Sequence, residues 1–197
     1  DESDPFIAKA TILASSEAYI GGPLDLTIAI ADVQDSFTIL EVEVNYDPQK
    51  LVFATVDNDG KISLASEALS TVEGSVQLLG TAVKSDQGKL YVILAAVNHP
   101  ITVGGDLFTL HGRIAEDAAT GTMSVSLSDF TVSFEGESNN VDTSNAQLNV
   151  EIKHANKTAL GVTIEIAQQL YNGTTQGNLP GQYPSAARSA FNAAITA

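Results

Sequence analysis

Cysteine and tryptophan are absent from the 197 residues, and Lys plus Arg number only 9 against 24 Asp plus Glu. Without cysteine there is no thiol catalysis, no thiolate metal site and no disulfide framework. An exported protein is still allowed, because oxidising compartments permit disulfides without requiring them. Without tryptophan, a sugar platform would rest on the five Tyr and seven Phe alone. The formal charge of −15 argues against nucleic acid, whose phosphates are bound by Lys and Arg, and against an anionic membrane surface. No apolar run approaches the length that spans a bilayer. The chain opens on DESDPF, with neither a basic nor an apolar leader segment.

What remains is alternation. To about residue 152, apolar and polar residues alternate with the period of half-buried strands. Leu24, Leu26, Ile28 and Ile30 share one face. Leu40, Val42, Val44 and Tyr46 form a second apolar row, interleaved with Glu41, Glu43 and Asn45. Further strands are predicted at 7–14, 51–56, 76–83, 90–97, 107–115, 122–134 and 146–152. Turn chemistry separates them, as at Gly21–Pro23, Asp57–Gly60 and Ser85–Gly88. About nine strands in this pattern predict a mainly β, jelly-roll-type sandwich over residues 1–152 rather than a parallel α/β sheet.

From about residue 153 the period becomes helical. After a polar linker at Lys153–Lys157, Leu160, Ile164, Ala167 and Leu170 recur at helix spacing, with Gly173 as a stop. Pro184 and Ser185 are placed to open a second helix, with Pro184 expected at its first turn, carrying Ala187, Phe191, Ala194 and Ile195. Residues 153–197 are therefore expected to be an α-helical hairpin that either packs on the sandwich or, the preferred reading, awaits a third helix.

The run FTILEVEVNYDPQKLVFATV, residues 37–56, resembles two consecutive strands of bacterial cohesin modules, with Tyr46, Asp47, Pro48 and Leu51 at the turn between them. GKLYVILAAVNHPITVGGDLFTLHGRI, residues 88–114, resembles the family's sixth strand, connector and seventh strand. The tail is similar to FIVAR modules, which are three-helix bundles, and this implies a third helix beyond residue 197. Both resemblances imply a piece of a larger, exported, multimodular bacterial protein, active on polysaccharide outside the cell. The cohesin resemblance also implies a protein partner, a dockerin, whose helices meet one flat face of the sandwich. Carried onto this sequence, that face holds Glu41, Glu43 and Asn45 from the third strand, with Lys89, Tyr91 and Ile93 from the sixth. Both glutamates are expected to face water. An apolar centre with a charged rim is how interfaces are built, and the acids favour a partner helix bearing Lys or Arg.

No active site is legible. His99, His111 and His154 have no neighbouring Ser, Asp or Glu at a suggestive spacing, although triads are assembled in space rather than in sequence. The acids provide many pairs, but Glu41 and Glu43 read as a solvated strand face. The chain is expected not to be an enzyme. Two acidic loops could offer oxygens to calcium: Asp57 and Asp59 in DNDG, and residues 135–142 in EGESNNVD. The first lacks the further ligands of a full calcium loop, since Glu67 is wrongly placed, and dockerins carry their own calcium, so no cofactor is required. The alternatives are a carbohydrate-binding module of a glycoside hydrolase, using Tyr19, Tyr91, Tyr171 or Tyr183, and a structural spacer.

Overall fold

The computed structural model describes residues 7–14, 17–56, 62–64, 68–71, 77–96, 99–154 and 157–196. Asp57, Asp59 and Glu67, and with them the first calcium loop, lie outside the described residues. The chain forms two compact units, residues 1–154 and 155–197.

In the first unit the strands are β1 (Lys9–Ala14), β2 (Ala18–Tyr19), β3 (Pro23–Ala31), β4 (Ile39–Asn45), β5 (Leu51–Val52), β6 (Ala54–Val56), β7 (Ile62–Leu64), β8 (Leu69–Thr71), β9 (Gln77–Lys84), β10 (Lys89–Ala95), β11 (Gly105–Ile114), β12 (Gly121–Phe134), β13 (Glu137–Asn140) and β14 (Gln147–Lys153). One sheet runs β1-β3-β11-β5, with β8 also paired to β11; the other runs β2-β14-β12-β4-β10-β9, with β13 paired to β12. β6 and β7 form a separate hairpin.

The alternation seen in the sequence is what builds the core. Leu24, Leu26, Ile28 and Ile30 from one sheet meet Leu40, Val42, Val44, Leu90, Val92 and Leu94 from the other, all buried in one cluster. Phe37, Phe53, Phe108 and Phe130 are the largest fully buried side chains. Burial of each such side chain contributes about 1.5–3 kcal/mol.

The Tyr46–Asp47–Pro48 turn follows its expected chemistry. The Asp47 carboxylate accepts from the Gln49 N–H at 3.0 Å, and its carbonyl accepts from Leu51 N–H at 2.9 Å. Tyr46 then packs edge-on against Phe53, with ring centroids 4.9 Å apart.

Three expectations are corrected. The strand expected at 51–56 is split at buried Phe53: β5 pairs with β11 while β6 pairs with β7. The stretch 135–142 is not a loop throughout. Glu135 and Gly136 take positive φ values of 50° and 92°, and Glu137–Asn140 folds back on β12 as a strand. Pro184 is not the first helical residue: its carbonyl accepts from the Arg188 N–H at 3.1 Å, so it occupies the capping position, and the helix starts at Ser185.

The second unit holds α1 (Lys157–Gly173) and α2 (Ser185–Thr196), joined through the short parallel pair β15 (Thr175–Gln176) and β16 (Gln182–Tyr183). Tyr171 and Phe191 meet with ring centroids 6.3 Å apart. Val162, Ile164, Ile166 and Leu170 are nevertheless exposed along α1.

Candidate protein-recognition face

The outer face of the β9-β10-β4-β12 sheet carries all six residues singled out from the sequence. Antiparallel pairing sets β4 and β10 in a register that places Asn45 opposite Lys89, Glu43 opposite Tyr91, and Glu41 opposite Ile93. The next strands extend each row. On one side β9 adds Lys84, Ala82 and Gly80; on the other β12 adds Ser126, Ser128 and Thr131. Tyr91 and Ile93 are half-buried here, and Ile39 is exposed beside them.

Glu43 corrects the expectation of two water-facing glutamates. Glu41 is exposed, but Glu43 retains only 3% of its accessible surface. It points outward from the sheet and is covered by its neighbours. The Lys89 ammonium donates to both carboxylate oxygens, at 2.8 and 2.9 Å, and Ser128 Oγ donates to Oε1 at 2.8 Å. Asn45 Nδ2 donates to Ser128 Oγ at 2.7 Å, fixing that hydroxyl. Burial pushes the Glu43 carboxyl up. Hydrogen bonds from Lys89, Tyr91 and Ser128, together with the Lys89 charge, overcome this and bring it down to about 2. Its bond to Glu43 raises Lys89, and the separate bond that Tyr91 makes to Glu43 raises the Tyr91 hydroxyl. Lys84 Nζ sits 4.9 Å from the centre of the Tyr91 ring, holding it from the other side.

The centre of the face is thus a locked polar knot, with an apolar border towards β9. A side chain at Gly80 would meet nothing within 4 Å, so the surface beside Ile93 is open. The pairing of β9 with β10 is interrupted by a bulge between Ile93 and Leu94, and Leu78 and Leu79 are exposed there, Leu79 by 60%. Sequence reasoning missed Ser128, Lys84 and this leucine pair. The alternation of Thr122, Ser124, Ser126 and Ser128 with Met123, Val125 and Leu127 was a signal for the serine row. The bulge that turns out Leu79 has no such signature.

Among the described residues there is no group of three or more His, Asp or Glu that could hold a metal ion. Among the described residues no helix is long and apolar enough to cross a membrane. His99 and His154 are exposed. His111 lies on the outer face of the other sheet, where β3 supplies Asp25 directly opposite it and β8 supplies Ser70. Sequence spacing gave no hint of that grouping.

The cohesin-domain family model matches residues 9–153. A gellan lyase from a Bacillus species is 38% identical over 194 residues, which is 94% of this chain and 8% of that protein. The chain therefore spans under a tenth of the length of that relative. Among solved structures, the cohesin module of a Clostridium perfringens family 33 glycoside hydrolase superposes with a TM-score of 0.59 at 14% identity, covering 76% of this chain and 99% of that one. A chain of the CaDoc0917–CaCohA2 complex solved at pH 5.5 gives 0.53 at 16% identity, covering 75% and 99%.

Proposed function

The chain belongs to the cohesin family, and from that premise we propose that its sandwich docks a dockerin-type protein module. It is a non-catalytic, ancillary module. The docking surface is the outer face of β9, β10, β4 and β12, with Glu41, Glu43, Asn45, Lys89, Tyr91 and Ile93 at its centre. The observation that carries this reading is the face itself. Half-buried Tyr91 and Ile93 and exposed Ile39 border a pre-formed polar network, with exposed Glu41 at its rim. A rigid centre lowers the ordering cost of binding, and an acidic rim selects partner helices bearing Lys or Arg.

The gellan lyase relative supports a setting in a secreted, multimodular polysaccharide-degrading enzyme. In that setting the sandwich, residues 1–152, tethers catalytic modules to a dockerin-bearing partner outside the cell. No cofactor is assigned to it. Residues 153–197 are read as a FIVAR-like helical module. The exposed Val162, Ile164, Ile166 and Leu170 of α1 fit a bundle whose apolar face is completed by a further helix.

Calorimetric titration with dockerin modules tests the docking role. Binding that weakens by about tenfold or more in Tyr91→Ala, the loss of about 1.4 kcal/mol expected of a central aromatic, supports it. Unchanged affinity in Tyr91→Ala and Ile93→Ala rules out this face. Binding to polysaccharide in a pull-down, with none to dockerins, would make the module a carbohydrate binder instead.

A further inference from the structure

We propose that Ser70, His111 and Asp25 form an activated nucleophile on the outer face of the β1-β3-β11-β5 sheet, able to take an acyl group from an ester donor. Ser70 Oγ lies 2.8 Å from His111 Nε2, and His111 Nδ1 lies 3.0 Å from Asp25 Oδ1. The three side chains come from three adjacent strands. β11 places His111 opposite Asp25 of β3, and its Thr109, two residues earlier on the same face, stands opposite Ser70 of β8.

The roles follow from the connectivity. With Nδ1–H donating to the Asp25 carboxylate, Nε2 of the uncharged ring is left with its lone pair towards Ser70. That lone pair accepts the Ser70 hydroxyl proton. Nucleophile, base and orienting carboxylate within hydrogen-bond reach is the arrangement by which a serine is activated on unrelated folds, and it is recognised by geometry rather than by chain order.

The site is reachable. Ser70 is exposed, and the side chains of His111 and Asp25 each keep 39% of their surface. Of the charged groups near the ring, Asp25 comes from β3 and Arg113 follows two residues on in β11 itself; the described part of β8 brings only the neutral Ser70. Thr27 and Thr109, whose hydroxyls lie 3.1 Å apart, continue the polar strip. Among the described residues β8 pairs only with β11.

In the step itself, Ser70 Oγ bonds to the acyl carbon while its proton passes to His111 Nε2. The carbonyl electron pair moves to oxygen and returns as the bond to the leaving alkoxide breaks. The imidazolium then protonates that alkoxide, leaving acyl-Ser70 and an alcohol. This is a stoichiometric modification and stands apart from the recognition face, which lies on the other sheet.

The test treats the full chain with p-nitrophenyl acetate and, separately, with a fluorophosphonate, and maps adducts by peptide mass spectrometry. One adduct at Ser70 is expected, absent in Ser70→Ala and about 100-fold slower to form in His111→Ala, the low end for a positioned base. Added imidazole should restore labelling in His111→Ala. Asp25→Asn should slow labelling and change its pH profile, whereas Thr27→Ala should do neither. Thermal melts of each variant separate lost reactivity from lost folding. No adduct at Ser70, or equal rates in wild type and a folded His111→Ala, would overturn the proposal.

Discussion

Lys89 reaches across from β10 to grip both carboxylate oxygens of Glu43 on β4, and in doing so it covers them. Glu43 stands opposite Tyr91, two pairs along from the Lys89–Asn45 pair, so the contact is a diagonal one between strands in the middle of the sheet. It converts what alternation marks as a wet position into a buried, charged one. The energetic consequence is a dependence of stability on pH.

Glu43 is held at about 2 in the folded protein, below its ordinary 4.5. A carboxyl lowered on folding contributes stability that is fully present above its unfolded value and is lost as pH falls through its folded value. The contribution should therefore be complete above about pH 5 and vanish between pH 4.5 and 2. Glu43→Gln should lose about 1–3 kcal/mol at pH 7, the scale of hydrogen bonds to a charged group. Urea unfolding of both proteins across pH 2–7 checks this. The gap in midpoint between wild type and variant should close on acidification; a gap independent of pH would remove Glu43 from the account.

Glu41 and Glu43 should behave oppositely when reversed in charge. Glu41 is exposed opposite Ile93, so Glu41→Lys should change stability by less than about 0.5 kcal/mol, as surface substitutions do. It should slow association with a basic partner helix. Glu43→Lys would set a second ammonium against Lys89 in a covered site, and it should cost about 3 kcal/mol or more. Thermal melts separate the two. Only Glu41→Lys is then a fair probe of binding, read as a fall in association rate by stopped flow.

The reason one glutamate was legible and the other was not lies in what alternation encodes. A period of two says which side of a strand a residue takes, and it placed Leu40, Val42 and Val44 in the core and Glu41, Glu43, Tyr91 and Ile93 on the outer face. It says nothing about what stands on the neighbouring strands. Glu43 is buried by Lys89, Tyr91 and Ser128, and the last of these lies 85 residues away in sequence. The same limit hid Asp25 from His111, 86 residues apart. Phe53 illustrates a different limit: its apolar neighbours suggested one continuous strand, yet the chain changes sheets there. Local turn chemistry carried further, since the Asp47 side chain bonds the backbone ahead of it, as Asp does at turns.

Gly88 joins two turns that the sequence presents separately. Its φ is +64°, and a Cβ there would stand 2.2 Å from the carbonyl oxygen of Tyr46 and 3.2 Å from Pro48 Cδ. The Gly88 carbonyl meanwhile accepts from Tyr46 N–H at 2.9 Å. Backbone cannot retreat as a flexible side-chain end can, so Gly88→Ala combines a left-handed conformation with a clash. The expected loss exceeds about 2 kcal/mol, more than the 1 kcal/mol or so of an alanine in that conformation alone. Chemical unfolding measures it. A loss below 1 kcal/mol would mean that the Tyr46–Pro48 turn is free to shift.

Arg188 ties together the two helices of the C-terminal unit. Its guanidinium carbon lies 4.5 Å from the centre of the Tyr171 ring, and Nη2 donates to the Tyr171 carbonyl at 3.3 Å. Thr174 Oγ1 donates to the same carbonyl at 2.7 Å. That carbonyl belongs to the last turn of α1, whose final C=O groups have no partner within the helix and favour a cation. A planar guanidinium can both stack on the ring and reach the carbonyl, whereas an ammonium has no flat face to stack. Arg188→Lys should therefore keep a cation near the helix end and the ring but lose the planar stacking, and Arg188→Ala should lose both, including a cation–π contact of about 0.5–1 kcal/mol. In the full chain, the order expected for resistance of the 155–197 segment to limited proteolysis is wild type, then Arg188→Lys, then Arg188→Ala. Equal resistance in the lysine variant and wild type would mean that charge at the helix end suffices and the stacking on Tyr171 contributes nothing.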